Sequence, residues 1–203
     1  MQIALFGATG GTGRQILAQA ISQGHQIRAL VRDPTRLTAP VGVTLIRGDV
    51  LDLAPTAECV QGTEAVICAL GSHGGRTPIE AAGTAHILTA MQTHGVRRLI
   101  AITSLGVGDS RGQLNPVFRI LMDLTLKTIM HAKAEQEELI KASGLDWTIV
   151  RPGGLTDGPH TGTYRSGLDP TIKGGRVSRA DVADFVLKQL SDQTYLHQTP
   201  AVT

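Results

Sequence analysis

Three glycines near the start of the chain, Gly7, Gly10 and Gly13, have the spacing needed to hold a phosphate group. They follow a short apolar run, residues 3–6, and precede a helical pattern over residues 15–21, which gives the order strand, tight turn, helix. In such a turn the first glycine permits the bend, the second lets backbone approach a pyrophosphate, and the third lets helix and strand pack closely. The phosphates lie at the helix N-terminus, where unpaired N–H groups and the macrodipole favour an anion. A glycine-rich turn formed for steric reasons alone is the alternative.

The context of this turn favours a dinucleotide site. A second predicted strand, residues 26–31, follows the helix, as expected for a dinucleotide-binding βαβ unit. The spacing Gly-x-x-Gly-x-x-Gly resembles that of the short-chain and extended dehydrogenases. The predicted cofactor contacts in the turn are Gly7, Thr9, Gly10, Gly11, Thr12 and Gly13.

The end of the second strand carries two arginines, Arg32 and Arg36. An arginine at this place accommodates the 2′-phosphate of NADP, whereas an acid bonds the ribose 2′-hydroxyl of NAD. Two guanidiniums suit one dianion, and Thr35 between them adds a hydroxyl donor. The pattern predicts NADPH as the cofactor. Two alternatives stay open: Asp33 faces the ribose and favours NAD, or the arginines are a solvated surface pair.

Two further strand ends carry candidate cofactor contacts. Asp49 and Val50 follow the predicted third strand, residues 43–47, where the carboxylate can accept from the adenine amino group while the valine packs on the ring. A turn or N-cap aspartate is the alternative. The fourth strand, residues 65–70, runs into a glycine-rich loop beside the expected reversal of strand order. The predicted contacts there are Ala69, Leu70, Gly71 and His73, with Arg76 as a further phosphate or substrate contact and an ordinary flexible loop as the alternative.

Residues that would face the nicotinamide and the substrate come later in the chain. Ser104 closes the fifth strand, residues 99–104, and can hydrogen-bond a substrate carbonyl or ring nitrogen, so we predict it as the catalytic residue; a simple strand-end turn residue is the alternative. Pro152, at the exit of the sixth strand, is predicted to contact the cofactor. Lys133 can reach the nicotinamide ribose from its helix, although the sequence favours a solvated helix lysine.

Alternating strands and helices predict an α/β fold, a single Rossmann-type domain over residues 1–203 with a doubly wound parallel sheet. The expected strand order is 3-2-1-4-5-6 with a small C-terminal addition. Helices are predicted over residues 55–60, 79–94 and 116–143, and a short strand then leads into a capped helix from residue 177. Residues 155–175 are predicted to form a loop over the substrate side, and the tail one more edge strand.

Composition excludes several classes of protein. The chain of 203 residues is 41% hydrophobic with a net charge of +2, so it has no basic footprint for nucleic acid and no polybasic tail for a membrane. No apolar run approaches the ~20 residues of a membrane span, and the N-terminus is a strand and not a signal sequence. We expect a cytoplasmic monomer.

Cys68 lies in an apolar run as a buried hydrophobe, and the histidines lack metal-ligand spacing, so no metal is expected.

Together these motifs resemble the biliverdin-IXβ reductase and NADPH-dependent flavin reductase family of atypical short-chain dehydrogenases. The matching stretches span nearly the whole chain and are residues 6–13, 30–33, 48–50, 70–71, 103–104, 143–145 and 161–164. The resemblance implies NADPH contacts from the residues already named and a substrate-side serine at Ser104. Mammalian members carry histidines where this chain has Glu137 and Gly154, a departure that concerns bilin preference more than cofactor use.

The expected activity is hydride transfer from NADPH to a conjugated acceptor, a flavin or a linear tetrapyrrole. Enzymes that reduce a carbonyl normally use a tyrosine as the acid on the substrate oxygen, four residues before a lysine on the same helix. In this chain, Ile129 lies four residues before Lys133. A conjugated acceptor spreads the arriving charge and can take its proton from water, so it tolerates that loss. The alternatives are an NADPH-binding redox sensor without catalysis, and an epimerase or isoflavone-type reductase, for which the C-terminal region is short.

Overall fold

A computed structural model describes residues 1–72, 77–114, 119, 124 and 126–203. The strands are β1 (Gln2–Phe6), β2 (Gln26–Val31), β3 (Val43–Arg47), β4 (Ala65–Cys68), β5 (Arg98–Ile102), β6 (Asp146–Pro152), β7 (Gly154–Thr156), β8 (Ser166–Gly167), β9 (Arg176–Ser178) and β10 (Ala201–Val202). The helices are α1 (Gly11–Ser22), α2 (Leu53–Val60), α3 (Glu80–His94), α4 (Lys127–Lys141) and α5 (Arg179–Lys188), with 3-10 turns at Pro34–Arg36 and Gly108–Gln113.

The main sheet has the order β3-β2-β1-β4-β5-β6-β10-β8, which confirms the predicted order and the doubly wound α/β fold. Neighbouring strands from β3 to β10 are parallel, and β8 pairs antiparallel with β10. The prediction for the tail was wrong in one respect: β10 lies inside the sheet, and β8 is the edge strand. Residues 155–175 are also not all loop, because they contribute most of β7 and all of β8.

Both faces of the sheet are buried, which is why its strands are nearly continuous apolar runs. Along β1, Ile3 and Leu5 pack on one face with α1 and α5, while Ala4 and Phe6 pack on the other with α2, α3 and α4. Successive strand side chains point to opposite faces, so a single run supplies both cores. Because the strands β1 to β6 are parallel, their carboxyl ends all lie on one edge of the sheet.

The ends of the helices largely follow the predicted signals. Ser178 caps α5 by accepting from the backbone N–H of Asp181, and Gly95 ends α3 with a φ of 69°, both as predicted. Helix α2 begins two residues before the predicted Pro55, because Asp52 caps it. The predicted helix over 116–143 is described as α4 from Lys127 onward, and most residues between 115 and 125 lie outside the described part of the chain.

Both cysteines are buried, and burial raises the pKa of each thiol, that of Cys59 to about 12. Within the described ranges, no group of three or more His, Cys, Asp or Glu side chains is arranged to hold a metal ion. The helices of the described chain are all too short or too polar to cross a bilayer.

Candidate cofactor site

The crevice expected at the reversal of strand order lies between the carboxyl ends of β1 and β4. Gly7 follows β1 with a φ of 86°, and a Cβ at this position would collide with the carbonyl oxygen of Ala69. The N–H of Ala69 in turn donates to the carbonyl of Phe6 at 2.9 Å. Gly7 thus bends the chain away from the sheet while the two strand ends stay in contact, which opens a cleft above them.

The start of α1 forms one wall of that cleft and is open to an anion. A Cβ at Gly13 would collide with the carbonyl oxygen of Gly7, so glycine here lets the helix approach the turn closely. Gly10 is the N-cap residue in an extended conformation, no described side chain caps the helix, and its first turn holds no acid. A helix N-terminus left in this state has unpaired N–H groups suited to phosphate oxygens. The turn therefore fits the pyrophosphate of a dinucleotide.

A cavity of about 370 Å³ continues from this turn across the ends of β2, β3 and β4. Predicted cofactor contacts make up most of its lining: Gly7, Thr9, Gly10, Arg32, Arg36, Asp49, Val50, Ala69, Leu70 and Gly71. Phe6, Leu30, Val31, Gly48 and Ile79 complete the lining and were not predicted. The predicted residues that do not line it are Gly11, Thr12, Gly13, Thr35, Ser104 and Pro152. His73 and Arg76 lie outside the described residues.

Arg32 and Arg36 are exposed side chains that share this cavity. The neighbouring Asp33 is bonded within its own turn, because its Oδ1 accepts from the N–H of Thr35 at 3.0 Å and from its hydroxyl at 2.6 Å. These hydrogen bonds hold the pKa of Asp33 below its ordinary value. The Thr35 hydroxyl is thus engaged by Asp33, while Arg32 and Arg36 both line the cavity, and two guanidiniums suit a phosphate dianion.

Arg14, which sequence reasoning missed, joins the two turns that are predicted to bind phosphate groups. Its Nε donates to the carbonyl of Thr9 at 3.2 Å, and its Nη2 donates to the carbonyl of Arg36 at 2.6 Å. The glycine-rich turn and the turn that carries both arginines are therefore fixed relative to each other. Its place in the first turn of α1 gave no signal, because both acceptors are backbone groups whose position depends on the fold.

Asp49, Val50 and Leu70 line the same cavity, and the first two are the residues predicted to contact an adenine. Asp49 is half-buried, and its Oδ1 accepts from the N–H of Leu51 at 3.0 Å, as in the predicted turn alternative. Val50 and Leu70 are buried and lie over Gly83 of α3, where a Cβ would come within 2.8 Å of Val50 Cγ1 and 3.0 Å of Leu70 Cδ1. Gly83 thus lets α3 approach the apolar wall.

Ser72 and Glu80 fasten the loop that follows β4 to the start of α3. The Glu80 carboxylate is fully buried and accepts from the N–H and the hydroxyl of Ser72, each at 2.8 Å, and from the N–H of Ile79 at 3.0 Å. Burial alone would raise the pKa of Glu80, but these hydrogen bonds and the charge of Lys133 outweigh it and lower the pKa.

The expectation of a solvated Lys133 was wrong. The residue as a whole is half-buried, but its ammonium end is desolvated, and this burial lowers its pKa against the raising influence of Glu80, Cys68 and Glu137. Cys68 ends β4 and Glu80 begins α3, so the charges that act on the Lys133 ammonium come from these two elements and from Glu137 of α4 itself. Burial of a lysine costs free energy, so a lysine whose pKa is lowered in this way is a functional candidate, although Lys133 does not line the cavity described above.

Ser104 lies just beyond β5, half-buried, with its hydroxyl donating to the carbonyl of Leu105 at 3.1 Å. Pro152 is buried at the end of β6, where its carbonyl accepts from the N–H of Leu105 at 2.9 Å. Glu137 does not line the cavity described above; it is buried and bonded to Arg151 and Thr103. The Gly154 N–H donates to the carbonyl of Gly175 at 2.8 Å.

Comparison with known sequences identifies the family. The sequence profile of the NAD(P)H-binding family matches residues 7–193. The chain belongs to this NAD(P)H-binding family. A chloroplastic protein of Arabidopsis thaliana of uncharacterised activity is 34% identical over 202 residues, which cover 93% of this chain and 71% of that protein.

The fold of this NAD(P)H-binding chain is similar to that of several solved structures. ChuY, an anaerobilin reductase from Escherichia coli O157:H7, has a TM-score of 0.87 and 26% identity, covering 100% of this chain and 96% of its own. A short-chain dehydrogenase/reductase from Veillonella parvula in complex with NADP has a TM-score of 0.84 and 20% identity, covering 99% and 93%. At that identity the second likeness concerns the fold alone.

Proposed function

We propose that the protein is an NADPH-dependent reductase that transfers hydride to a conjugated acceptor, a flavin (FMN, FAD or riboflavin) or a linear tetrapyrrole such as biliverdin. The observation that carries the proposal is that an open dinucleotide cleft occurs in a chain whose two tyrosines are both engaged elsewhere. The likeness to an anaerobilin reductase supports a reductase.

The choice of NADPH over NADH is supported by the cavity wall at the end of β2. Arg32 and Arg36 provide two cations there, and Asp33, which would favour the ribose hydroxyls of NADH, is bonded within its own turn. Two guanidiniums can bind the dianionic 2′-phosphate through charge-assisted hydrogen bonds, which a 2′-hydroxyl cannot match.

Neither tyrosine is placed to protonate a carbonyl substrate beside Lys133. The Tyr164 hydroxyl donates to Asp184 at 2.7 Å and accepts from Lys188 at 3.1 Å, and burial together with Asp184 raises its pKa to about 12. Tyr195 packs on Phe185, 5.8 Å between ring centroids, as Tyr164 does at 5.9 Å. Both tyrosines therefore belong to the α5 side of the sheet, whereas Lys133 packs on the opposite face.

A conjugated acceptor makes smaller demands on the chain. The nicotinamide, when bound, supplies the hydride, and the protein supplies position and the exclusion of competing reactions. Ser104 provides a hydroxyl at the end of β5 that can bond the acceptor. Lys133, on α4, provides a cation that we propose bonds the nicotinamide ribose. No side-chain acid of the tyrosine type is required, because the reduced ring system can take its proton from water.

The test is NADPH oxidation by the purified protein with FMN, riboflavin and biliverdin, followed by loss of NADPH absorbance. We expect turnover with at least one acceptor, slower turnover with NADH, and a Ser104→Ala variant whose kcat falls while its Kd for NADPH is unchanged. Tight NADPH binding without turnover on any acceptor would contradict the reductase and favour a redox sensor. Redox-neutral conversion of a sugar nucleotide would favour an epimerase.

We also propose that the protein is a monomer and that it is located in the cytoplasm. Size-exclusion chromatography with light scattering measures the oligomeric state, and a fluorescent fusion expressed in the native cell shows the location.

A further inference from the structure

Arg179, the first residue of α5, lies across the start of α1. A Cβ added to Gly11 would come within 2.7 Å of both Cδ and Nε of Arg179 and 3.5 Å of its Cζ. The two helices pack against each other, with Gln19 Nε2 donating to the carbonyl of Ala180 at 2.8 Å. Glycine at position 11 therefore leaves room for an arginine side chain that arrives from the far end of the sequence.

This placement puts a cation beside a helix N-terminus, which is itself the positive end of the macrodipole. The first turn of α1 contains no acid, and within the described chain no side chain caps it. Two positive groups in contact repel each other unless an anion lies between or beside them. Gly7, Thr9 and Gly10 of the same turn line the cavity that fits the pyrophosphate of the cofactor, and Gly11, beside Arg179, follows them directly in the chain.

The anion that Arg179 contacts in this structure is Asp157, at 2.7 Å between Nη1 and Oδ1. The Asp157 side chain is 89% exposed, whereas that of Arg179 is 28% exposed. Exposed ion pairs contribute little net stability, so this contact exchanges readily for a stronger anion. A pyrophosphate held at the same time by helix N–H groups is such an anion.

We propose that Arg179 is a pyrophosphate-binding residue of the cofactor site, and that Asp157 pairs with its guanidinium until the cofactor replaces it. Asp157 thus competes with the cofactor for one cation. The proposal rests on the cofactor site described above and not on the identity of the acceptor.

Calorimetric titration with NADP⁺ and with adenosine 2′-monophosphate tests this, because only NADP⁺ carries the pyrophosphate. We expect Arg179→Gln to weaken NADP⁺ about tenfold, as loss of a charge-assisted hydrogen bond does, while adenosine 2′-monophosphate changes less than about twofold. Arg176→Gln removes an exposed arginine three residues away and is the matched control for net charge. Thermal unfolding without ligand shows whether each variant is folded.

Asp157→Asn tests the competition. We expect it to strengthen NADP⁺ binding a few-fold in the presence of Arg179 and to have no effect in the Arg179→Gln background, since the two residues then share one interaction. The proposal is overturned if Arg179→Gln binds NADP⁺ like the wild type, or weakens both ligands equally. Weaker NADP⁺ binding by Asp157→Asn overturns the competition. Failure of the wild type to bind either ligand would instead refute the cofactor site itself.

Discussion

Arg151 and Glu137 form a two-pronged ion pair that is almost completely buried beneath the carboxyl ends of β5 and β6. Arg151 Nε lies 3.0 Å from Glu137 Oε1, and Nη2 lies 2.5 Å from Oε2, with 3% and 1% of the two side chains exposed. Thr103 donates to the same carboxylate at 2.7 Å, and Arg151 also reaches Asp109 at 2.6 Å. The pair thereby joins α4, β6 and the 3-10 turn Gly108–Gln113, and Thr103, the residue before Ser104, is bonded to it.

Removing one partner of this pair should destabilise the protein strongly. We expect Glu137→Ala to lower the free energy of unfolding by about 3–5 kcal/mol, because the Arg151 charge stays buried without its main partner. Glu138→Ala is the control: this neighbour is 75% exposed, its pair with Lys141 lies at the surface, and its loss should cost less than about 1 kcal/mol. Urea unfolding measures both, and similar midpoints for the two variants would contradict the prediction.

Arg32 and Arg36 should decide between the two nicotinamide cofactors. Each Arg→Gln change is expected to weaken NADPH about tenfold or more and NADH less than about threefold, because only NADPH carries the 2′-phosphate. Arg47→Gln, at the exposed end of β3 and outside the cavity lining, is the control. Fluorescence titration gives the dissociation constants. Equal losses for NADPH and NADH would mean that neither arginine recognises the phosphate.

The strand order was predictable because it depends on short-range signals. Each buried strand is a compact apolar run, and the first turn carries glycines whose roles are local: Gly7 has the positive φ that favours glycine, and Gly13 faces the carbonyl of Gly7. Parallel pairing and right-handed crossovers then leave few arrangements. The cavity residues Arg32 and Asp49 follow directly from strand ends, so their place was also predictable.

The remaining site residues depend on packing between distant parts of the chain. The burial of Lys133 requires α4 to lie on the end of β4 beside Glu80, and the contact of Arg179 with Gly11 requires α5 to pack on α1. No local pattern gives either arrangement. The hydrogen bond from the Thr35 N–H to Asp33 is a local feature and could have been predicted. An aspartate that accepts from the backbone N–H two residues later forms a common turn, and the sequence Asp-Pro-Thr is compatible with it.

Two glycines of the site should respond differently to alanine. A Cβ at Gly71 meets no atom within 4 Å, so Gly71→Ala should fold with wild-type stability, whereas the Cβ of Gly13→Ala collides with backbone and should lower the unfolding midpoint markedly. Gly71 lines the cavity, so Gly71→Ala should nevertheless weaken NADPH binding because its methyl group occupies cofactor space. Thermal unfolding and NADPH titration of both variants provide the check. Unchanged NADPH affinity in Gly71→Ala would remove this residue from the site.

Asp181 should make stability depend on pH at the acidic end. Its buried carboxylate accepts from the N–H groups of Thr161 and Gly162 at 2.8 and 2.9 Å and from the Ser178 hydroxyl at 2.8 Å. Burial alone would raise the pKa of Asp181, but these hydrogen bonds outweigh it and lower the pKa below its ordinary value of 3.8. Because the native pKa is lowered, the carboxylate contributes stability above that ordinary value, and the contribution is lost as pH falls through the native pKa.

The variant Asp181→Asn should therefore be less stable than the wild type by about 1–3 kcal/mol near neutral pH, since an amide cannot accept all of these hydrogen bonds. The difference should shrink as the pH falls below about 4, where the carboxylate of the unfolded wild-type chain takes up a proton, and further as the pH falls through the lowered native pKa. Glu135→Gln, an exposed carboxylate on α4, is the control and should change stability little at either pH. Urea unfolding across this range measures the effect. A difference between Asp181→Asn and the wild type that stays constant with pH would show that shape, and not charge, is what Asp181 contributes.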